Sequence, residues 1–153
     1  MIVRIHSLFF VRYCHLSTLA TFAGGGVPFV CGGRREEYND QCFKYDAALD
    51  AWATSGTLAE TRSWTGYGSS ENWGLIMAGG YSDDSFRSSV ETTDDGEVFG
   101  SLPNMPEAND YMCLVVVDDD RLFLCGGGDL DFRTSTLIFS KKSSDWTRQV
   151  HTY

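Results

Sequence analysis

The sequence is short of histidine, of basic runs and of long apolar stretches, and each shortage excludes a class of function. Its three histidines, His6, His15 and His151, are scattered. They form no i, i+4 pair and have no Cys or Glu neighbour at metal-ligand spacing, so no dedicated metal site is expected. Lys and Arg never run longer than two, and the net charge is −9. Nucleic acid and anionic membrane surfaces are poor partners for such a chain, because both need a basic footprint. A basic or amphipathic protein face suits it better, although the same charge also serves solubility. No apolar stretch approaches the roughly 20 residues that span a bilayer. The N-terminal segment MIVRIHSLFFVRYCHLSTLATFAGGG is broken by Arg4, His6, Arg12 and His15, which interrupt any signal-peptide core. There is no G-x-S-x-G elbow and no phosphate-binding G-x-x-x-x-G-K-[ST]. Asp118-Asp119-Asp120 lacks the spaced oxygen ligands of a calcium loop and reads as a turn. The expectation is a protein with no catalytic residues, no cofactor and no metal.

What is abundant is glycine, at 16 residues, and aromatic side chains, at 14%. With short apolar runs and no convincing 3.6-residue period, this composition predicts an all-β chain with many tight turns.

The glycines are phased. An apolar run closes on a glycine pair three times: VPFVCGG, GLIMAGG and RLFLCGG. The pairs are Gly32-Gly33, Gly79-Gly80 and Gly126-Gly127, spaced by 47 and again by 47. Twenty residues after each first glycine stands a large aromatic: Trp52, Phe99 and Trp146. Thirteen residues after it stand Tyr45, Thr92 and Phe139, within strand-like stretches. Trp64 and Tyr111 are also 47 apart. A repeat of four short strands per period is predicted, with first strands over 62–69 and 111–117. Asp95-Gly96 is expected to form a two-residue hairpin turn. The boundaries read as a lead-in over 1–11 and units over 12–58, 59–105 and 106–153.

Four-stranded units at this period resemble kelch repeats, whose motif is an apolar strand closed by a glycine pair, then a tyrosine, then a tryptophan. Unit one carries it as Gly32-Gly33, Tyr45-Asp46 and Trp52; unit three as Gly126-Gly127, Phe139 and Trp146. Arg12-x-x-His15 matches the family's opening of the first strand, while unit two departs, with Thr92 and Phe99 at the aromatic positions. The resemblance implies β-propeller blades in an incomplete ring, since a propeller closes with roughly four to eight. Three blades leave apolar flanks open to further blades or to self-association. It also implies a non-catalytic protein-interaction module. The alternative is an extracellular carbohydrate-binding or oxidase-like propeller, and the histidines do not support an oxidase.

In an antiparallel blade, the loop from strand two to strand three shares one end with the link to the next blade. Candidate partner-binding residues on that face are Arg34, Arg35, Tyr38, Tyr81, Phe86, Arg87, Phe132 and Arg133, because aromatics and arginines dominate binding hot spots. The competing reading has each aromatic tucked under its own loop and each arginine paired with a local Asp.

Cys31 and Cys42 flank a loop on adjacent strands, and Cys113 and Cys125 face each other across a hairpin, leaving Cys14 over. Two readings stand: a pair of disulfides in an oxidising, extracellular setting, or buried reduced thiols.

Overall fold

The computed structural model describes residues 2–3, 18–21, 26–34, 39–128 and 135–150. They hold fifteen strands and no helix. The first sheet contains β1 (Ile2–Val3), β2 (Thr18–Thr21), β3 (Pro28–Cys31), β4 (Gln41–Asp46) and β5 (Ala51–Thr57), in the order β1-β5-β4-β3-β2. The second contains β6 (Gly66–Ser70), β7 (Gly74–Ala78), β10 (Val90–Thr93) and β11 (Gly100–Leu102), with a small hairpin of β8 (Tyr81–Ser82) and β9 (Ser85–Phe86) set between β7 and β10. The third runs β12 (Met112–Val116), β13 (Arg121–Gly126), β14 (Ser135–Ser140) and β15 (Asp145–Val150). Apart from β1, each large sheet is an antiparallel meander taken in chain order. Two lead-in residues, Ile2 and Val3, pair with Ala53 and Trp52 as an extra outer strand.

The sheets stack face to face, and their first strands come close together, β2 and β12 both lying beside β6. One core, holding Phe29, Cys31, Cys42, Leu58, Leu75 and Met77, joins the first sheet to the second. Another, holding Trp73, Ile76, Ala78, Val90, Leu122, Leu124, Leu137, Phe139 and Trp146, joins the second to the third. Position in this stack explains the strand sequences. β7 belongs to the middle sheet, is covered on both faces, and buries four consecutive residues from Leu75 to Ala78. β13 belongs to the last described sheet and alternates, with Leu122 and Leu124 buried and Cys125 exposed. Its outward face carries Cys113, Val115 and Cys125, with Val115 48% exposed. β6 brings two glycines against the third sheet: a Cβ on Gly66 would stand 3.1 Å from the carbonyl oxygen of Met112, and one on Gly68 would strike Leu114 Cδ2. Among the described residues no ring is closed.

Three expectations are corrected. The uniform 47-residue register breaks in unit two. Tyr45 pairs with Trp52 and Phe139 with Trp146, but Leu75, the counterpart of Leu122, pairs with Thr93 rather than Thr92. The hairpin loop before β10 holds one more residue, and the turn after it spans six residues where units one and three have four. That turn is also no two-residue hairpin: it spans 94–99, closed by Asp95 Oδ1 accepting the N–H groups of Glu97 at 2.8 Å and Val98 at 3.0 Å. Finally, the first strands begin later than the apolar pattern implied, at Gly66 and Met112, because the residues before them are held elsewhere.

The cysteines divide. Cys31 and Cys42 form a disulfide with their Cα atoms 4.2 Å apart. Cys113 and Cys125, for which a second bridge and reduced thiols were both open, are directly opposed across β12 and β13 and are thiols. Ladder geometry separates the two pairs. Gly32 N–H bonds to Gln41 O, so the adjacent Cys31–Cys42 pair occupies a narrow, non-hydrogen-bonded site. Val117 N–H bonds to Arg121 O, and counting back along the ladder puts Cys113 and Cys125 at a hydrogen-bonded site, where the Cα atoms stand wider, at about 5.5 Å. Cys14 lies outside the described residues.

Candidate partner-binding face

The glycine pairs build this face by receiving the next unit. Gly33 N–H donates to the carbonyl of Arg62 at 2.8 Å, and 47 residues on Gly80 N–H donates to the carbonyl of Asn109 at 2.9 Å. Gly32 and Gly79 share φ of +64°, and Gly33 and Gly80 have φ of +101° and +105°. A Cβ on Gly32 would strike the same Arg62 carbonyl, and one on Gly79 the Asn109 carbonyl. The pair is therefore required twice, for its left-handed backbone and for the carbonyl of the incoming link. At the third pair, Gly126 and Gly127 keep positive φ, but the nearest atom to a Cβ on Gly126 is Tyr111 O at 3.9 Å.

The links are pinned from below. Arg62 is 1% exposed; its Nη1 donates to the carbonyls of Gly79 and Ser89, both at 3.2 Å, and its Nη2 to Glu91 Oε1 at 2.6 Å. Burial lowers its pKa from the ordinary arginine value, against the pull of Glu91 and Glu60. Glu91 in turn accepts the backbone N–H of Ala59 at 2.9 Å.

Beyond Arg62, Ser63 bridges to Tyr81 in both directions, N–H to carbonyl, at 3.0 and 2.9 Å. The link and the β8–β9 hairpin thus share one end of the second sheet. The bridge turns the next residue, Trp64, into left-handed backbone at φ 54°, and its counterpart Tyr111 takes φ 52°. Bulky residues pay steric strain there, so such positions persist only where the surroundings hold them. Here Tyr111 N–H donates to Trp64 O at 2.9 Å and the two rings stack with centroids 4.9 Å apart. Trp64 meets Tyr81 at 5.8 Å, and Tyr81 meets Phe86 edge-on at 5.3 Å. Four rings, Phe86–Tyr81–Trp64–Tyr111, form a ladder across the face. Its end rings are open, Phe86 at 46% and Tyr111 at 58% exposure.

Carboxylates border the ladder. Asp83 and Asp84 sit in the β8–β9 turn with φ of 50° and 60°, and Tyr81 Oη donates to Asp84 Oδ1 at 3.4 Å. Asp110, beside Tyr111, is buried, its Oδ1 has no hydrogen-bond partner, and burial raises its pKa.

Of the residues singled out from sequence, the fold brings Tyr81 and Phe86 together in the ladder. Arg87 is turned inward to Asp83 at 3.4 Å and serves its own loop. Arg34 is exposed. Arg35, Tyr38, Phe132 and Arg133 lie outside the described residues, as do Arg12, His6, His15 and His151. The ladder's other half, Trp64 and Tyr111, was assigned to the first strands. Its signal was present, in the 47-residue spacing of two large aromatics, but the left-handed backbone that lifts them out of the sheet has no sequence signature in a Trp or Tyr. Among the described residues, no group of three or more His, Cys, Asp or Glu side chains is gathered where a metal ion would fit.

No protein-family model matches the sequence, and no curated protein matches it.

Proposed function

We propose that the chain is a run of three kelch-type propeller blades that docks a protein partner on the face bearing the Phe86–Tyr81–Trp64–Tyr111 ladder. The observation that carries this reading is the ladder itself. It is a contiguous row of aromatic rings with open ends, mounted on backbone that two bulky residues adopt only under constraint. Rigid aromatics give large contact area at little cost in side-chain entropy, which is why they anchor interfaces. The blade assignment draws support from three antiparallel meanders in chain order and from the link carbonyl that recurs over the first two glycine pairs. The outward face of the third sheet, with Val115 and the two thiols, is where a further blade packs in this reading.

The test is a selection of random 12-residue peptides displayed on phage against the native chain. The peptides enriched are expected to lose binding to Phe86→Ala and Tyr111→Ala variants whose far-ultraviolet circular dichroism and melting match the parent. Enriched peptides that ignore both substitutions would defeat the reading, as would enrichment of none. Selective retention of neutral oligosaccharides on the ladder would replace it with a glycan-binding one.

A further inference from the structure

The second cysteine pair stands where the disulfide stands in the first sheet, with its partner exchanged. Cys31 and Cys125 are two 47-residue periods apart and hold the same place in their sheets. Cys31 pairs with Thr18 on one side and Cys42 on the other, whereas Cys125 pairs with Cys113 and Thr136. The partner has moved from the third strand of the unit to the first, and with it from a narrow pairing site to a wide one. Opposed residues at a wide site have Cβ atoms about 5.5 Å apart, against about 3.8 Å in a disulfide. Both thiols are exposed on one face and lie within hydrogen-bonding reach of each other. The sheet therefore holds two sulfurs side by side without drawing them to bonding distance.

We propose that Cys113 and Cys125 form a binding site for a soft monovalent cation, Cu(I), held between the two sulfurs on the outward face of the third sheet. The inference stands apart from the aromatic docking face. Binding makes two copper–sulfur bonds and releases one proton from each thiol, with no change of oxidation state. Metal–sulfur bonds of about 2.3 Å on either side of an ion set the sulfurs up to about 4.6 Å apart, a span that suits the wide site. Thiolate selects Cu(I) by its softness, whereas zinc closes a tetrahedron of four ligands. Among the described residues no third His, Cys, Asp or Glu joins the pair, which favours the ion that two ligands satisfy. Val115, two residues along β12 on the same face, gives the pair an apolar flank. In the first sheet the Cys31–Cys42 bridge lies buried under the second sheet, so a closed sulfur pair at this position is compatible with a further sheet packed above it.

The probe is Cu(I) itself, offered to the native chain without oxygen as its coloured bicinchoninate chelate. Ascorbate serves as reductant, so that the Cys31–Cys42 bridge stays closed. The chain is expected to withdraw one copper per chain with no change of oligomeric state by light scattering. Cys113→Ser and Cys125→Ser should each weaken binding by about a hundredfold or more, beyond the loss of a group that merely orients a ligand. Both positions are exposed, and circular dichroism matching the parent checks their fold. A second measurement needs no variant: bound copper should shield Cys113 and Cys125 from alkylation, as peptide mass spectrometry reads. Failure to withdraw copper overturns the inference, as does binding that ignores both substitutions, shielding of Cys14 instead, or copper that joins two chains. Zinc bound as tightly as copper overturns it too, and so does a native chain in which Cys113 and Cys125 are already joined to each other.

Discussion

Arg62 and Asn109, 47 positions apart, each place a side-chain nitrogen on the carbonyl of the first glycine in their own unit's pair, Arg62 on Gly79 at 3.2 Å and Asn109 on Gly126 at 3.4 Å. The rest of each site differs to match. Under Arg62 lies Glu91, bonded at 2.6 Å and 3% exposed. Pairing registers put Leu137 where Glu91 stands, Glu91 opposite Met77 and Leu137 opposite Leu124. One unit thus carries a buried ion pair where the next has an amide and a leucine.

Removing one member of the pair should cost more than removing both. Arg62→Ala leaves the Glu91 carboxylate buried without its cation, and a loss of about 3–5 kcal/mol in unfolding free energy is expected. The double variant Arg62→Asn, Glu91→Leu, which copies unit three, should recover most of that loss. Urea denaturation of the two variants measures the difference.

The glycine pair makes a sharper prediction by position. Gly79→Ala meets both left-handed backbone and the Asn109 carbonyl, and should destabilise the chain by about 2 kcal/mol or more. Gly100→Ala, where the nearest atom would be Thr92 Oγ1 at 3.4 Å and φ is not left-handed, should change stability by less than about 1 kcal/mol. The same denaturation experiment compares them.

Much of this was legible in the amino-acid order, and the reasons are physical. The first two glycine pairs announce themselves because close backbone approach admits no other residue, and β7 does so because a doubly covered strand is apolar throughout. The two four-residue turns at 47–50 and 141–144 keep a strict phase, ending in Asp50 at φ 47° and Ser144 at φ 53°. The slip in unit two was hidden because Thr92 and Thr93 are the same residue, so spacing alone cannot choose between them. The state of the cysteines was open for a related reason: sequence placed both pairs on neighbouring strands, but only the ladder's alternation distinguishes a narrow site from a wide one. The ladder was half visible, through Tyr81 and Phe86, and half concealed by the unusual backbone at Trp64 and Tyr111.

Asp110 predicts a pH dependence of known sign. Burial raises its folded pKa above the ordinary 3.8, so its contribution to stability is complete below the unfolded value and is lost as pH rises through the folded one. Asp110→Asn has no such loss. Its melting temperature should exceed that of the parent by a few degrees at pH 7, and the gap should close as the pH falls to about 3, below the ordinary carboxylate range. A melting series across that range follows it.

The thiols should report their two environments. Under native conditions an alkylating reagent is expected to modify Cys113 and Cys125 while Cys31 and Cys42 react only after reduction, as peptide mass spectrometry would resolve. Burial and the neighbouring Cys113 thiol raise the pKa of Cys125, so its labelling should accelerate as the solution is made more alkaline. Opening the Cys31–Cys42 bridge, which closes a separation of 11 residues, should cost about 3 kcal/mol of stability.

Sheet follows sheet here because each link lays a carbonyl on the preceding glycine pair, and that contact also sets Trp64 and Tyr111 in the ladder. Hydrogen exchange at the backbone amides of Gly33 and Gly80 measures it directly, since both lie outside the strands and owe their protection to Arg62 O and Asn109 O alone. Both amides should exchange far more slowly than exposed loop amides and respond together to denaturant, as equivalent members of one repeated contact. Exchange at open-loop rates at either glycine would contradict the account.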